Sequence, residues 1–107
     1  MRRFGQVIGV KPDRIDDYEA IHGAVWPEVL DLIRESNIRN YSIFRHGNML
    51  FAYFEYVGED FESDMQRMAE HPKNIEWWKL TDEMQEPVPD RLPGEWWSTL
   101  PEVFHTD

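Results

Sequence analysis

The hydrophobic period of this chain switches between two and three-to-four several times, and that order of switches constrains its fold more than any other feature. Phe4 to Val10 alternates, with Phe4, Ile8 and Val10 on one side, which is the pattern of a strand. Ile15, Tyr18, His22, Val25, Val29 and Ile33 then recur at steps of three and four, the stripe of an amphipathic helix. Lys11-Pro12-Asp13 turns the chain between them, and Asp13 is the expected helix N-cap. Pro27 has no backbone donor, so the helix must kink or restart near Trp26 and end at Ser36-Asn37. Ile38 to Arg45 and Met49 to Val57 read as two strands joined by a hairpin turn at His46-Gly47-Asn48. A second helical region begins with Phe61, Met65 and Met68, is broken at His71-Pro72 and restarts from Pro72. It carries Trp77, Trp78, Leu80 and Met84. Residues 86–101 read as an irregular proline-rich arm, and 102–105 as a short last strand.

Strand, helix, strand, strand, helix, strand in 107 residues predicts one α+β domain, a ferredoxin-like sandwich with its helices on one face of the sheet. The first and third strands are apolar on both faces, so the other face needs a cover. A second copy of the chain is the simplest one, which predicts a homodimer.

Composition removes several function classes. There is no cysteine, hence no disulfide framework, thiolate nucleophile or cysteine zinc site. The four histidines share no metal-ligand spacing, and no glycine-rich phosphate loop is present, so neither a metal nor an organic cofactor is expected. The formal net charge of −10 repels phosphate backbones and argues against nucleic-acid binding. No apolar run approaches the roughly 20 residues of a membrane span, and the Arg2-Arg3 start lacks the apolar stretch of a signal peptide. A cytoplasmic location is the expectation.

The chemistry concentrates at Tyr18, His22, Trp26 and Pro27. Residues four apart share one side of a helix, so a group that moves protons near neutral pH lies beside a phenolic hydroxyl. Taken alone, His22 on an apolar stripe reads as a hydrogen-bonded core histidine. Tyr18 and Tyr41 have a packing reading of almost equal weight. Trp77 and Trp78 point about 100° apart on a helix, so at most one faces a given pocket squarely. Glu28 and Asp82 are candidate orienters of His22 or of substrate hydroxyls, while His46 and His71 read as solvated.

Tyr18 and His22, Trp26-Pro27-Glu28, Asn40-Tyr41-Ser42-Ile43, the Trp77-to-Asp82 string with Met84, and Glu102-Val103-Phe104 stand in register over nearly the whole chain. Together they resemble the L-rhamnose mutarotase family. That resemblance implies a dimeric α/β barrel of ferredoxin-like subunits that interconverts the α and β anomers of L-rhamnose. It places the general acid/base on His22 and substrate contacts on Tyr18, Tyr41, Trp77 and Trp78. The tail Gly94-Glu95-Trp96-Trp97 is similar to relatives associated with L-fucose breakdown, which keeps L-fucose as an alternative substrate. A dimeric-barrel oxygenase acting on an aromatic compound, and a sugar-binding domain without catalysis, are the alternatives from other classes. Mutarotation suits the residues: a hemiacetal opens and recloses by two proton transfers, for which a histidine suffices.

Overall fold

The computed structural model describes residues 1–107. Strand β1 (Arg2–Val10) leads through a 3-10 turn (Pro12–Arg14) into helix α1 (Ile15–His22), and helix α2 (Pro27–Glu35) follows. Strands β2 (Ile38–His46) and β3 (Met49–Tyr56) form a hairpin, followed by helices α3 (Phe61–Glu70) and α4 (Pro72–Asp82). Two short strands, β4 (Gln85–Glu86) and β5 (Ser98–Leu100), complete the chain. The antiparallel sheet runs β2-β3-β1-β4, with β5 also on β1. This is the strand order of a ferredoxin-like α+β unit, as expected.

The prolines act as the sequence implied. Pro27 and Pro72 each occupy the start of a helix, where a missing N–H costs nothing. The first helical region restarts at Pro27, with the Trp26 carbonyl accepting the Val29 and Leu30 amides. At the β2–β3 hairpin, Gly47 sits first in the two-residue turn at φ 59°, a conformation glycine adopts without steric cost.

Three expectations are corrected. Asp13 does not cap α1. Pro12 starts a 3-10 turn in which the Arg14 amide bonds the Lys11 carbonyl, so Asp13 lies inside that turn and Arg14 precedes the helix. Met84 lies past the end of α4, although it stays in the core. The last strand is Ser98–Leu100 rather than 102–105, and the 86–101 arm holds it. Pro101 has no amide to give to β1, so the pairing stops there. Val103 and Phe104 beyond it are 92% and 78% exposed. The fourth-strand position is thus filled in two pieces. β5 pairs Gly5 to Val7, and β4 pairs Gly9 and Val10. β4 can approach because position 9 is glycine: a Cβ there would stand 2.6 Å from the Glu86 carbonyl oxygen.

The inward face of the sheet holds two separate apolar clusters. One joins Ile8, Val10, Tyr18, Leu50 and Met84. The other joins Leu32, Ile38, Phe54 and Met68, with Phe4 and Phe61 stacked at its edge. Each buried Leu, Ile or Phe contributes about 1.5–3 kcal/mol. Between the clusters, half-buried Gln6 faces Ala52 across the strands, so the β1–β3 step that separates them is polar and small.

β2 carries an extra residue in this middle region. Arg39 pairs with Glu55 and Ser42 with Tyr53, so Asn40 and Tyr41 together face Phe54 alone. Asn40 takes φ 52° and sends its amide to Glu55 on the outer face. This β-bulge turns Tyr41 inward, with its ring centroid 5.5 Å from that of Phe54.

The outer face of the sheet is the opposite case. Phe44, Phe51 and Val7 stand in one cross-strand row, with Phe44 65% and Phe51 40% exposed.

Candidate functional site

Helix α1 ends on the pair the sequence singled out. The Tyr18 and His22 rings stack with centroids 4.1 Å apart, one helical turn from each other. His22 Nδ1 lies 2.8 Å from the Tyr18 carbonyl oxygen. A carbonyl only accepts, so Nδ1 must be the nitrogen that carries the proton. The neutral imidazole therefore presents a bare lone pair at Nε2. Burial pulls His22 below its ordinary pKa, against the opposite effect of the Tyr18 bond, so this neutral form prevails near pH 7.

Two more aromatic residues close this corner. The Trp77 ring meets His22 edge-on at 5.4 Å, and Trp26 meets Trp77 edge-on at 5.2 Å. Trp77 is buried, so its ring is wall as well as contact. Lys73 places its ammonium 5.5 Å from the Trp26 ring centre.

Tyr18 is 3% exposed, and its oxygen accepts a hydrogen bond from Gln85 Nε2 at 3.2 Å. Gln85 Oε1 in turn accepts from Trp96 Nε1 at 2.8 Å. Burial pushes the Tyr18 phenol up to about 12, so it keeps its proton at every physiological pH. Tyr41 is also held at about 12, chiefly by burial of its hydroxyl end and secondarily by the Tyr18 phenol. The residue as a whole is 39% exposed, so part of it meets solvent.

A cleft of about 220 Å³ opens at this point, lined by Tyr18, Glu19, His22, Ile43, Phe44, Arg45 and Leu50. It is smaller than the ~300–1,000 Å³ of drug-sized sites, in scale with a single sugar ring. The Arg45–Glu19 ion pair bridges β2 and α1 at its rim.

The structure therefore brings Tyr18, His22 and Trp77 together, sets Tyr41 inward against Phe54, and leaves Trp78 out. Trp78 is 39% exposed and lines a broad groove of about 530 Å³ with Ile75, Lys79, Asp82 and Glu83. That groove is larger than the cleft but holds no histidine. Asp82 lies there as well, its pKa raised by partial burial, and it does not orient His22. The backbone carbonyl of Tyr18 orients it instead. Gln85 was not a sequence candidate for the site; Trp96 reads from the sequence as a dimer contact or a pocket lid, and in the structure it bonds Gln85. No group of three or more His, Asp or Glu side chains converges to hold a metal ion.

The L-rhamnose mutarotase family model matches residues 3–106 of this chain. This chain belongs to the L-rhamnose mutarotase family. An L-rhamnose mutarotase of Oceanobacillus iheyensis is 38% identical over 100% of both chains. Among solved structures, an L-rhamnose mutarotase from Formosa agariphila superposes with a TM-score of 0.78 at 24% identity, covering 100% of both chains. Tetracenomycin F2 cyclase from Streptomyces glaucescens, a type-II polyketide cyclase, superposes with a TM-score of 0.68 at 18% identity, covering 99% of this chain and 96% of its own. At such identities these structures speak to the fold, a curled antiparallel sheet with helices on one side. The rhamnose mutarotase fold thus agrees with the α+β order expected from the periodicities.

Proposed function

We propose that this chain is an L-rhamnose mutarotase in which His22 moves the proton. The observation that carries this reading is the bond from His22 Nδ1 to the Tyr18 carbonyl, which leaves Nε2 free to act as a base beside the cleft. Nε2 takes the proton from the anomeric hydroxyl while the bond between C1 and the ring oxygen breaks, giving the open-chain aldehyde. The imidazolium gives that proton to the ring oxygen. Rotation about C1–C2 presents the other carbonyl face, and the reverse steps close the second anomer. The Tyr18 and Tyr41 hydroxyls hold sugar oxygens, and Trp77 supplies apolar surface to a C–H face. The 6-methyl group of the sugar adds about 1–3 kcal/mol of selectivity in such a pocket. Trp78, in the outer groove, has the weakest support of the family-implied contacts.

The chain acts as one domain over residues 1–107, and two copies cover each other's outer sheet faces to form a dimeric barrel. The exposed Phe44–Phe51–Val7 row supports this arrangement. No helix is long and apolar enough to cross a membrane, which accords with work in the cytoplasm on a free monosaccharide.

Saturation-transfer NMR on L-rhamnose and L-fucose tests the reading. Exchange between anomers of L-rhamnose, accelerated above the buffer rate and faster than for L-fucose, is expected. Binding of either sugar with exchange left at the buffer rate would mean a sugar-binding domain and sink the catalytic proposal.

A further inference from the structure

The chain Trp96–Gln85–Tyr18 has only one consistent direction. An indole N–H can donate but never accept. The Gln85 atom that meets Trp96 Nε1 at 2.8 Å must therefore be the carbonyl oxygen. The amide nitrogen is left for Tyr18, and an amide nitrogen only donates, so the phenol oxygen accepts at 3.2 Å. The Tyr18 proton is then uncommitted within the chain, on a residue that lines the cleft. Gln85 is buried and reaches this place from β4, while Trp96 comes from the arm before β5. Two segments remote from α1 thus set which way its tyrosine hydroxyl points.

We propose that Gln85, locked by Trp96, is a positioning residue that fixes Tyr18 as a hydrogen-bond donor to the ring oxygen of the sugar. This rests on the mutarotase reading above. A pyranose carries several hydroxyls that donate and accept, but its ring oxygen only accepts. A tyrosine held as donor matches that one atom best. As the bond to C1 breaks, negative charge builds on the ring oxygen, and the Tyr18 bond strengthens. The proton itself still comes from His22, because a phenol with its pKa near 12 keeps its own. Bonds in such a chain also polarise one another, so the Trp96 and Gln85 donors make the Tyr18 hydroxyl a better donor.

Gln85→Glu is the diagnostic change, since it preserves shape and reverses polarity. Its carboxylate accepts from both Trp96 and Tyr18, which turns the Tyr18 proton away from the cleft. Protonated, the same side chain can accept from Trp96 and donate to Tyr18, restoring the native direction. Burial raises a carboxyl's pKa, which brings that protonation toward the working range. The ratio of variant to wild-type kcat for L-rhamnose exchange should be about tenfold below one at pH 8 and climb toward one by pH 6. Taking the ratio removes the part of the His22 titration that variant and wild type share. Trp96→Phe, which keeps a ring but no donor, should lower kcat several-fold while KM moves less. In a Tyr18→Phe background both changes should add nothing. A ratio near one throughout, a ratio independent of pH, full activity in Trp96→Phe, or equal further losses in the Tyr18→Phe background would each overturn the proposal. Should Gln85→Glu not fold, the Trp96→Phe pair of measurements decides alone. A wild-type protein that leaves exchange at the buffer rate would instead refute the mutarotase reading beneath it.

Discussion

Two buried tyrosines, at opposite ends of the same inward sheet face, use their hydroxyls in opposite ways. Tyr56, at the end of β3, gives its proton to Asp64 and accepts from the Asp60 amide. Asp64 is filled further by Asn37 and Arg67, and those bonds, Tyr56 first, hold its carboxyl below the usual range. The Tyr56 hydroxyl and both Asp64 oxygens have partners within the chain, and the result ties the starts of α3 and β2 to the end of β3. Position 58 is glycine because a Cβ would collide with the Tyr56 hydroxyl. Tyr18, at the other end, accepts from Gln85 and has no acceptor for its own proton. A saturated tyrosine is a fastener, whereas one with a proton left over has something to offer a ligand. Burial alone would class the two together.

The comparison sharpens most at His22. His22→Ala should fold and bind sugar yet lose about 10²–10⁴-fold in exchange rate. A variant that is merely less stable and fully active per folded molecule would return His22 to the core reading.

Exchanging the tyrosines' phenotypes is the next largest test. Tyr18→Phe should lower the exchange rate by about tenfold or more at a nearly unchanged melting temperature. Tyr56→Phe should do the reverse, costing about 1–3 kcal/mol of stability in denaturant titrations while activity per folded molecule stays intact. Matching phenotypes for the two variants would erase the distinction.

Trp77→Ala and Tyr41→Phe should raise KM more than they lower kcat, since surface contact and an edge hydroxyl act in the ground state as well. The Trp77 change should also lower stability, by roughly 3–5 kcal/mol for a buried tryptophan. Steady-state kinetics showing an untouched KM would remove both from the binding surface.

The two ends should also separate in pH. His22 has its pKa lowered by folding, so the neutral base persists at pH 7, and activity should fall as pH drops below about 6.5 and the ring gains charge. Asp64 has its pKa lowered too. The stability it contributes is fully present above the unfolded value near 3.9 and is lost as pH falls through the lower folded value. Melting curves of wild type and Asp64→Asn should thus converge only in strong acid, well after activity has gone. The smallest expected effect is that of EDTA, which should leave the rate unchanged. Loss restored by a divalent ion would overturn the cofactor-free reading.

Local chemistry made much of this legible in sequence. Pro27 and Pro72 announce helix starts, and the four-residue step from Tyr18 to His22 places both rings together without any knowledge of the rest. What escaped depends on contacts between distant segments. Gln85 reads as an ordinary residue after a helix, and Trp96 as part of an arm. Gln85 meets Tyr18 across 67 residues, and Trp96 meets Gln85 because β4 and β5 share the edge of β1. The last strand was misplaced because Val103 and Phe104 look like strand formers, while the proline before them ends the hydrogen-bonded edge. Trp77 and Trp78 were separable in principle by their angle on α4, but which one turned inward depended on how α4 packs.

The extra residue in β2 has a consequence for how this chain can change. A strand is read in twos, so residues five apart should lie on opposite faces. Ile38 and Ile43 are five apart, yet both pack inward, because the bulge at Asn40 shifts the parity once between them. Single substitutions along 39–42 leave that count alone. Removing one residue there would take out the bulge itself: Ile38 and Ile43 would then stand four apart, both still inward, in a regular strand. The bulge is therefore something a deletion can erase without turning either arm over, and what it adds to a regular strand is the turned-out Asn40 with its bond to Glu55.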